Sequence, residues 1–159
     1  MKYLEMPNIL RTNALFSKLN ALDPKQSVEI EVYSCKQTRQ QKSHRDVQKP
    51  LRYYVSALEE AFGDYDFSGE RGSSFHQTCY DFIRKELSFI FFTIYRNYDD
   101  VNEMLGFLDS ILNQCVSIRS SMFYLIDDLF GNEAEKYKVF LIHDKKLRRV
   151  VIIKTLTRT

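Results

Sequence analysis

The chain has 159 residues, of which 44% are apolar and 28% charged, and its formal net charge is +2. That length fits one domain with enough apolar material for a core, and so small a net charge leaves no bulk electrostatic footprint for nucleic acid. Cys35, Cys79 and Cys115 are far apart and form no C-x-x-C pair, so they indicate neither a disulfide framework nor a zinc site, and the expectation is reduced thiols in a cytosolic or nuclear protein.

The N-terminal "MKYLEMPNIL" has no apolar h-region and does not read as a secretory signal. After Asn8 a helical pattern places Leu15, Leu19 and Leu22 on one face, and Asp23-Pro24 ends it. "SVEIEVYSC" then alternates, with Val28, Ile30 and Val32 to one side and Glu29, Glu31 and Tyr33 to the other, which predicts a half-buried strand with one wet face. Residues 36–49, "KQTRQQKSHRDVQK", have no apolar period and read as a mobile, solvated basic loop, with Ser43 as a candidate phosphosite.

Pro50 suits the first turn of a helix carrying Leu51, Tyr54, Val55, Leu58 and Phe62 on one face, and Gly63 is placed to cap its end in the left-handed conformation. Phe82, Ile83, Leu87, Ile90 and Ile94 recur at helical spacing; the crowded Phe residues would also suit a buried strand, and the length of the segment favours the helix. The run "LSFIFFTIY" within that segment is too short to span a membrane. Asp100 with Glu103 predicts the cap of a further helix whose stripe is Val101, Met104, Leu105, Leu108, Leu112 and Cys115. "SIRSSMFYLID" reads as a strand, and "KYKVFLIHDKKLRRVVIIKTL" as a hairpin turning at Asp144-Lys145-Lys146. The expected architecture is a single α+β domain over 1–159, with a mainly antiparallel sheet of about four strands packed against helices and a C-terminal β-hairpin.

Few residues form a chemical constellation. His44, His76 and His143 are scattered without ligand spacing. "GDYDFS" contains Asp64 and Asp66, but a D-x-D nucleophile needs a preceding buried strand, whereas a helix and a glycine precede this pair. No G-x-x-x-x-G-K-[ST] phosphate loop and no legible Ser-His-Asp or Cys-His arrangement accompanies it. The structural reading is a helix-exit turn shaped by Asp64 and Asp66, with Tyr65 and Phe67 packing inward. "KKLRR" at 145–149 would project cations from a hairpin tip, either as a charged edge that discourages aggregation or as a docking patch.

Three separated segments carry a family resemblance. "MKYLE" at the start with "EVYSCK" ending at Lys36, "KPLRYYVSALEEAFGDYDFS" ending at Ser68, and "KKLRRVV" at 145–151 stand in the order and spacing of the Maf-type repressors of RNA polymerase III transcription. The chain resembles that family through Tyr33, Ser34, Cys35, Lys36, Asp64, Tyr65, Asp66, Phe67, Ser68, Leu147 and Val150. It departs from the family pattern in "KYKVFLIHD", which lacks the usual Trp, in "FYLIDD", where Tyr124 is the counterpart of the family's first Tyr, and in the short loop that replaces a long serine-rich insertion.

The resemblance implies a non-enzymatic repressor without a cofactor. Such a protein binds the clamp region of RNA polymerase III, blocks engagement of initiation factors at tRNA and 5S RNA genes, and shuttles between nucleus and cytoplasm under a kinase and phosphatase. Initiation-factor subunits are further partners to consider. Neither a membrane nor sequence-specific nucleic acid is implied as a partner. Lys36, Arg148 and Arg149 are the residues assigned to the docking surface. The readings from other classes are a small α/β adaptor of membrane traffic, a phosphate-handling hydrolase using Asp64 and Asp66, and a nucleic-acid binder using the loop at 36–49 with the basic tip.

Overall fold

Pro7 stands in the first turn of helix α1 (Pro7–Leu22) in the computed structural model, where its missing N–H costs no hydrogen bond. The helix therefore starts one residue before Asn8, and Met6 occupies its N-cap position. The structure describes residues 1–35, 49–63, 65–67, 69, 74–130 and 133–159, with the side chains of 49, 50 and 128 left aside. The loop expected at 36–49, and with it Lys36, lies outside the described residues except for Lys49, which already belongs to a helix. Asp64 and Ser68 lie outside them as well.

Around this the chain builds strands β1 (Lys2–Tyr3), β2 (Gln26–Ser34), β3 (His76–Thr78), β4 (Met122–Leu129), β5 (Glu135–Asp144) and β6 (Arg149–Arg158), with helices α2 (Lys49–Phe62), α3 (Tyr80–Tyr95) and α4 (Tyr98–Cys115). The strands form one six-stranded sheet in the order β1-β2-β6-β5-β4-β3, antiparallel at every pairing. The α+β class and the terminal hairpin are as expected; the strand count is six rather than about four. The two additional strands, β1 and β3, have two and three residues and sit at the sheet edges, too short to show a period. Residues 118–120 form a 3-10 turn, so β4 begins only at Met122. Among the described residues no helix is long and apolar enough to cross a membrane.

The sheet is covered on both faces. On one side Val28, Ile30, Val32, Phe140, Ile142, Val151 and Ile153 pack with residues of α1, α3 and α4. On the other, Tyr33, Val139, Leu141, Val150 and Ile152 pack with Tyr54, Ala57 and Leu58 of α2. The wet face expected of β2 is therefore only partly wet: Tyr33 is buried, and its hydroxyl donates to Glu31 at 2.6 Å. Lys154 of β6 secures the same face by ion pairs to Glu29 (3.3 Å) and Glu31 (3.1 Å) and by donating to the Ala61 carbonyl near the end of α2.

Helix faces follow the packing more closely than the leucine count. In α1 the buried residues are Ile9, Thr12, Phe16 and Leu19, while Leu22, expected inward, is largely exposed. In α3 they are Ile83, Leu87 and Phe91, with Phe82, Ile90 and Ile94 at the margin. The expected α4 stripe is buried in full and gains Ile111. Its cap is Asn97, whose side chain accepts from the backbone N–H groups of Asp99 (2.8 Å) and Asp100 (3.4 Å). Asp100 is inside the first turn instead, where its charge complements the helix dipole. Gly63 takes φ +54° after the last residue of α2, the left-handed conformation its position requires.

Candidate functional site

The sheet brings two of the sequence-marked segments together at one end. The backbone N–H of Cys35, just past β2, donates to the carbonyl of Arg148 at 2.9 Å, so "YSC" lies against the hairpin tip. The turn between β5 and β6 occupies 145–148, closing on the pair Asp144 and Arg149. It is therefore centred further along than Asp144-Lys145-Lys146. Lys145, Lys146, Leu147 and Arg148 are all exposed, and Arg148 adopts φ +56°. Such a conformation is uncommon for a residue with a Cβ, and the turn holds it through the Cys35 contact.

Asp144 organises this tip from below. It is 1% exposed, yet its Oδ1 accepts from the Leu147 N–H at 2.9 Å and its Oδ2 from the Ser117 N–H at 2.8 Å. Burial alone would raise its carboxyl pKa, but the backbone N–H groups of Leu147, Ser117 and Lys146 together hold it below the ordinary value. One carboxylate thus joins the hairpin turn to the exit of α4. Arg149 makes the same junction: its Nη1 donates to the Cys115 carbonyl at 2.9 Å. Of the two arginines assigned to docking, Arg148 presents its side chain to solvent, while Arg149 is half-buried and engaged with α4. Leu147 lies exposed on the tip, and Val150 is in the core.

Beneath the tip is a buried polar cluster with no counterpart in the sequence reading. Tyr54 of α2 places its hydroxyl 2.9 Å from Nδ1 of His143, and Cys35 Sγ lies 3.9 Å from Nε2 of the same ring. The Tyr124 ring packs 5.0 Å from that of Tyr54. These groups are 108 and 89 residues apart along the chain, so no local spacing announces them. The inward register of His143 in β5 was the only available signal. A cysteine beside a histidine invites a nucleophile reading, but the electrostatics oppose it. Burial pushes the Cys35 thiol up to about 11, against a partial lowering by Arg148. Burial and then Lys145 lower the His143 pKa, so at neutral pH the pair is thiol and neutral imidazole rather than thiolate and imidazolium.

The two buried groups give stability a definite pH dependence. Each has a folded-state pKa below its ordinary value, 6.5 for His143 and 3.8 for Asp144, so the unfolded chain takes up each proton first as pH falls. The contributions are complete above the unfolded values and are lost on acidification. Through these two groups the melting temperature is expected to fall as pH drops below about 6.5 and to fall again below about pH 4. Melting curves of His143→Gln across this range should lose the first step and keep the second.

The "DYDF" segment sits at the opposite end of α2. Phe67 is buried, as expected, but Tyr65 is 52% exposed rather than packed inward. Its ring stacks on Phe130 with centroids 4.1 Å apart. Phe62, Phe67 and Tyr137 also surround Phe130, which carries φ +74°, an unfavourable backbone state that these ring contacts offset. Asp66 is exposed. Among the described residues no group of three metal-ligating side chains occurs.

No family model matches the sequence. Two uncharacterized proteins of Encephalitozoon cuniculi are each 42% identical to it over 155 residues, covering 96% of this chain and 96% of theirs. Among solved structures, citrus MAF1 in one crystal form superposes with a TM-score of 0.73 at 22% identity, over 94% of this chain and 97% of the solved one. A second crystal form gives 0.72 at 21% identity, over 95% and 99%.

Proposed function

We propose that this chain, which belongs to one family with the two Encephalitozoon cuniculi proteins and has the fold of citrus MAF1, is a non-enzymatic repressor that binds RNA polymerase III and blocks initiation-factor engagement. The observation that carries the proposal is a coincidence of two independent likenesses. The fold agrees with citrus MAF1 over 94% of the chain, and the sequence separately carries the Maf-type motifs "YSCK", "DYDFS" and "KKLRRVV" in order. Repression by occlusion needs a rigid surface of about 800 Å² on each partner and no catalytic pocket.

The docking role is assigned to the end of the sheet where Arg148, Lys145 and Lys146 stand exposed beside Cys35. Lys36 follows Cys35 in the sequence and belongs to the same proposal. Arg149 contributes by holding the tip against α4. Exposed cations at such a place accelerate and orient encounter with an acidic partner surface. Nuclear and cytoplasmic residence, with control by a kinase and phosphatase, belongs to the same proposal.

The test is capture of RNA polymerase III from nuclear extract on the purified chain, with tRNA-gene transcription measured in the same extract. Capture and a fall in transcription are expected. Arg148→Glu should weaken capture roughly tenfold, about 1.4 kcal/mol, without changing the melting temperature. Failure to capture polymerase under conditions where a known polymerase III repressor does so would overturn the proposal.

A further inference from the structure

One side of β2 is an outer edge of the sheet that β1 covers only at Tyr33 and Ser34. Backbone groups alternate along a strand, so residues 26, 28, 30, 32 and 34 direct their N–H and C=O away from β6. At every one of these positions except Val28, the chain's own groups take at least one atom. The Gln26 carbonyl accepts from Asn20 Nδ2 at 2.7 Å, the Val32 carbonyl accepts from the Leu4 N–H at 2.8 Å, and Ser34 pairs with Lys2. Ile30 is taken at both atoms by one side chain. Asn13 Nδ2 donates to the Ile30 carbonyl at 2.7 Å, and the Ile30 N–H donates to Asn13 Oδ1 at 2.8 Å.

Val28 is the exception. Among the described residues nothing occupies its outward N–H and C=O, and it opens into a cleft of about 390 Å³ lined also by Asn13, Ser17, Asn20, Glu29 and Arg158. We infer that this cleft is a binding site for a primary carboxamide, which would pair with Val28 as Asn13 pairs with Ile30. The carboxamide of Asn13 already demonstrates the geometry two residues away on the same edge. Its oxygen and amino group match the adjacent donor and acceptor of an edge residue. The walls decide against an added β-strand, because Asn20 and Asn13 occupy the edge on either side of Val28 and leave one backbone pair open. A strand needs several such pairs in succession. A single side-chain amide, or a free amide-bearing molecule, needs only that one. This site does not depend on polymerase binding and lies on the α1 edge of the sheet rather than at the hairpin tip.

The source of the carboxamide can be separated from its chemistry by titrating the ¹⁵N-labelled protein with free L-glutamine, with a capped Gly-Gln-Gly peptide and with L-glutamate. A saturating shift of the Val28 amide resonance is expected with an amide ligand, with a midpoint on the order of 1 mM. Glutamate, which has no side-chain N–H at pH 7, should leave that resonance in place. A response to the peptide alone assigns the site to a partner's side chain, and a response to free glutamine assigns it to a small molecule. Ser17 is exposed on α1 and lines the cleft, so Ser17→Phe fills it without touching the core. This variant should lose the Val28 response while melting at an unchanged temperature. No shift with either amide up to tens of millimolar, an equal shift with glutamate, or a full response in a folded Ser17→Phe variant would each overturn the inference.

Discussion

Asp144→Ala is expected to lower stability by about 3 kcal/mol, a loss of roughly 6–12 °C in melting temperature for a chain of this size. The carboxylate is buried and accepts backbone hydrogen bonds from Ser117 and Leu147. Alanine would leave both donors without an acceptor, and the penalty for unmade hydrogen bonds exceeds the net value of made ones. Asp144→Asn should fall between the two, since its amide oxygen can still accept while the charge is gone. The loss should begin to shrink as pH falls below about 4, the ordinary carboxyl value, because the folded-state carboxyl is held below that value and the charge-dependent part of its stabilisation is lost on protonation. Thermal melts of the three proteins at pH 7 and pH 3 measure this. A similar melting temperature for Asp144→Ala and the wild type at pH 7 would show that the carboxylate is not what joins the turn to α4.

Phe140→Ala and Leu141→Ala are expected to be destabilising together, by about 3–5 and 2–5 kcal/mol respectively. The two residues are adjacent in β5 and point to opposite faces, yet both are fully buried. Phe140 packs in the cluster with α1, α3 and α4, and Leu141 in the cluster with α2. A sheet covered on one face only would tolerate one of these changes within about 0.5 kcal/mol, as exposed positions do. Urea denaturation of both variants therefore tests whether α2 closes the second face in solution. A near-neutral Leu141→Ala would mean that it does not.

The legible parts of the fold were those with a strong local period. α4 followed its apolar stripe residue for residue, and β2 showed its alternation in Val28, Ile30 and Val32. Gly63 and Pro50 marked helix ends through backbone constraints that operate whatever the tertiary context. The misplaced features depend on contacts between distant segments. Leu22 has the apolarity of a core residue, but it falls in the last turn of α1 and stays exposed. Asn97 rather than Asp100 caps α4, because a cap is chosen by which side chain reaches the first turn's N–H groups, and composition alone did not separate the two. Tyr33 sits on the polar side of an alternating strand and is nonetheless buried, because α2 covers that side.

The candidate sites divide in the same way. The cations of the hairpin tip could be read directly, since a charged turn between two β-rich runs is a local pattern. That Arg149 spends its guanidinium on the Cys115 carbonyl could not, because the partner lies 34 residues earlier on another element. The meeting of Cys35, Tyr54 and His143, and the open backbone pair at Val28, are likewise products of topology. The sequence alone specified an α+β chain with a two-stranded C-terminal hairpin, a basic tip and a Maf-like order of motifs, because periodicity, turn chemistry and motif order are properties of short segments. Only the tertiary structure decided that both faces of the sheet are buried, which cations remain exposed and that Val28 lies open on the edge of β2, because each of those depends on what the rest of the chain brings alongside.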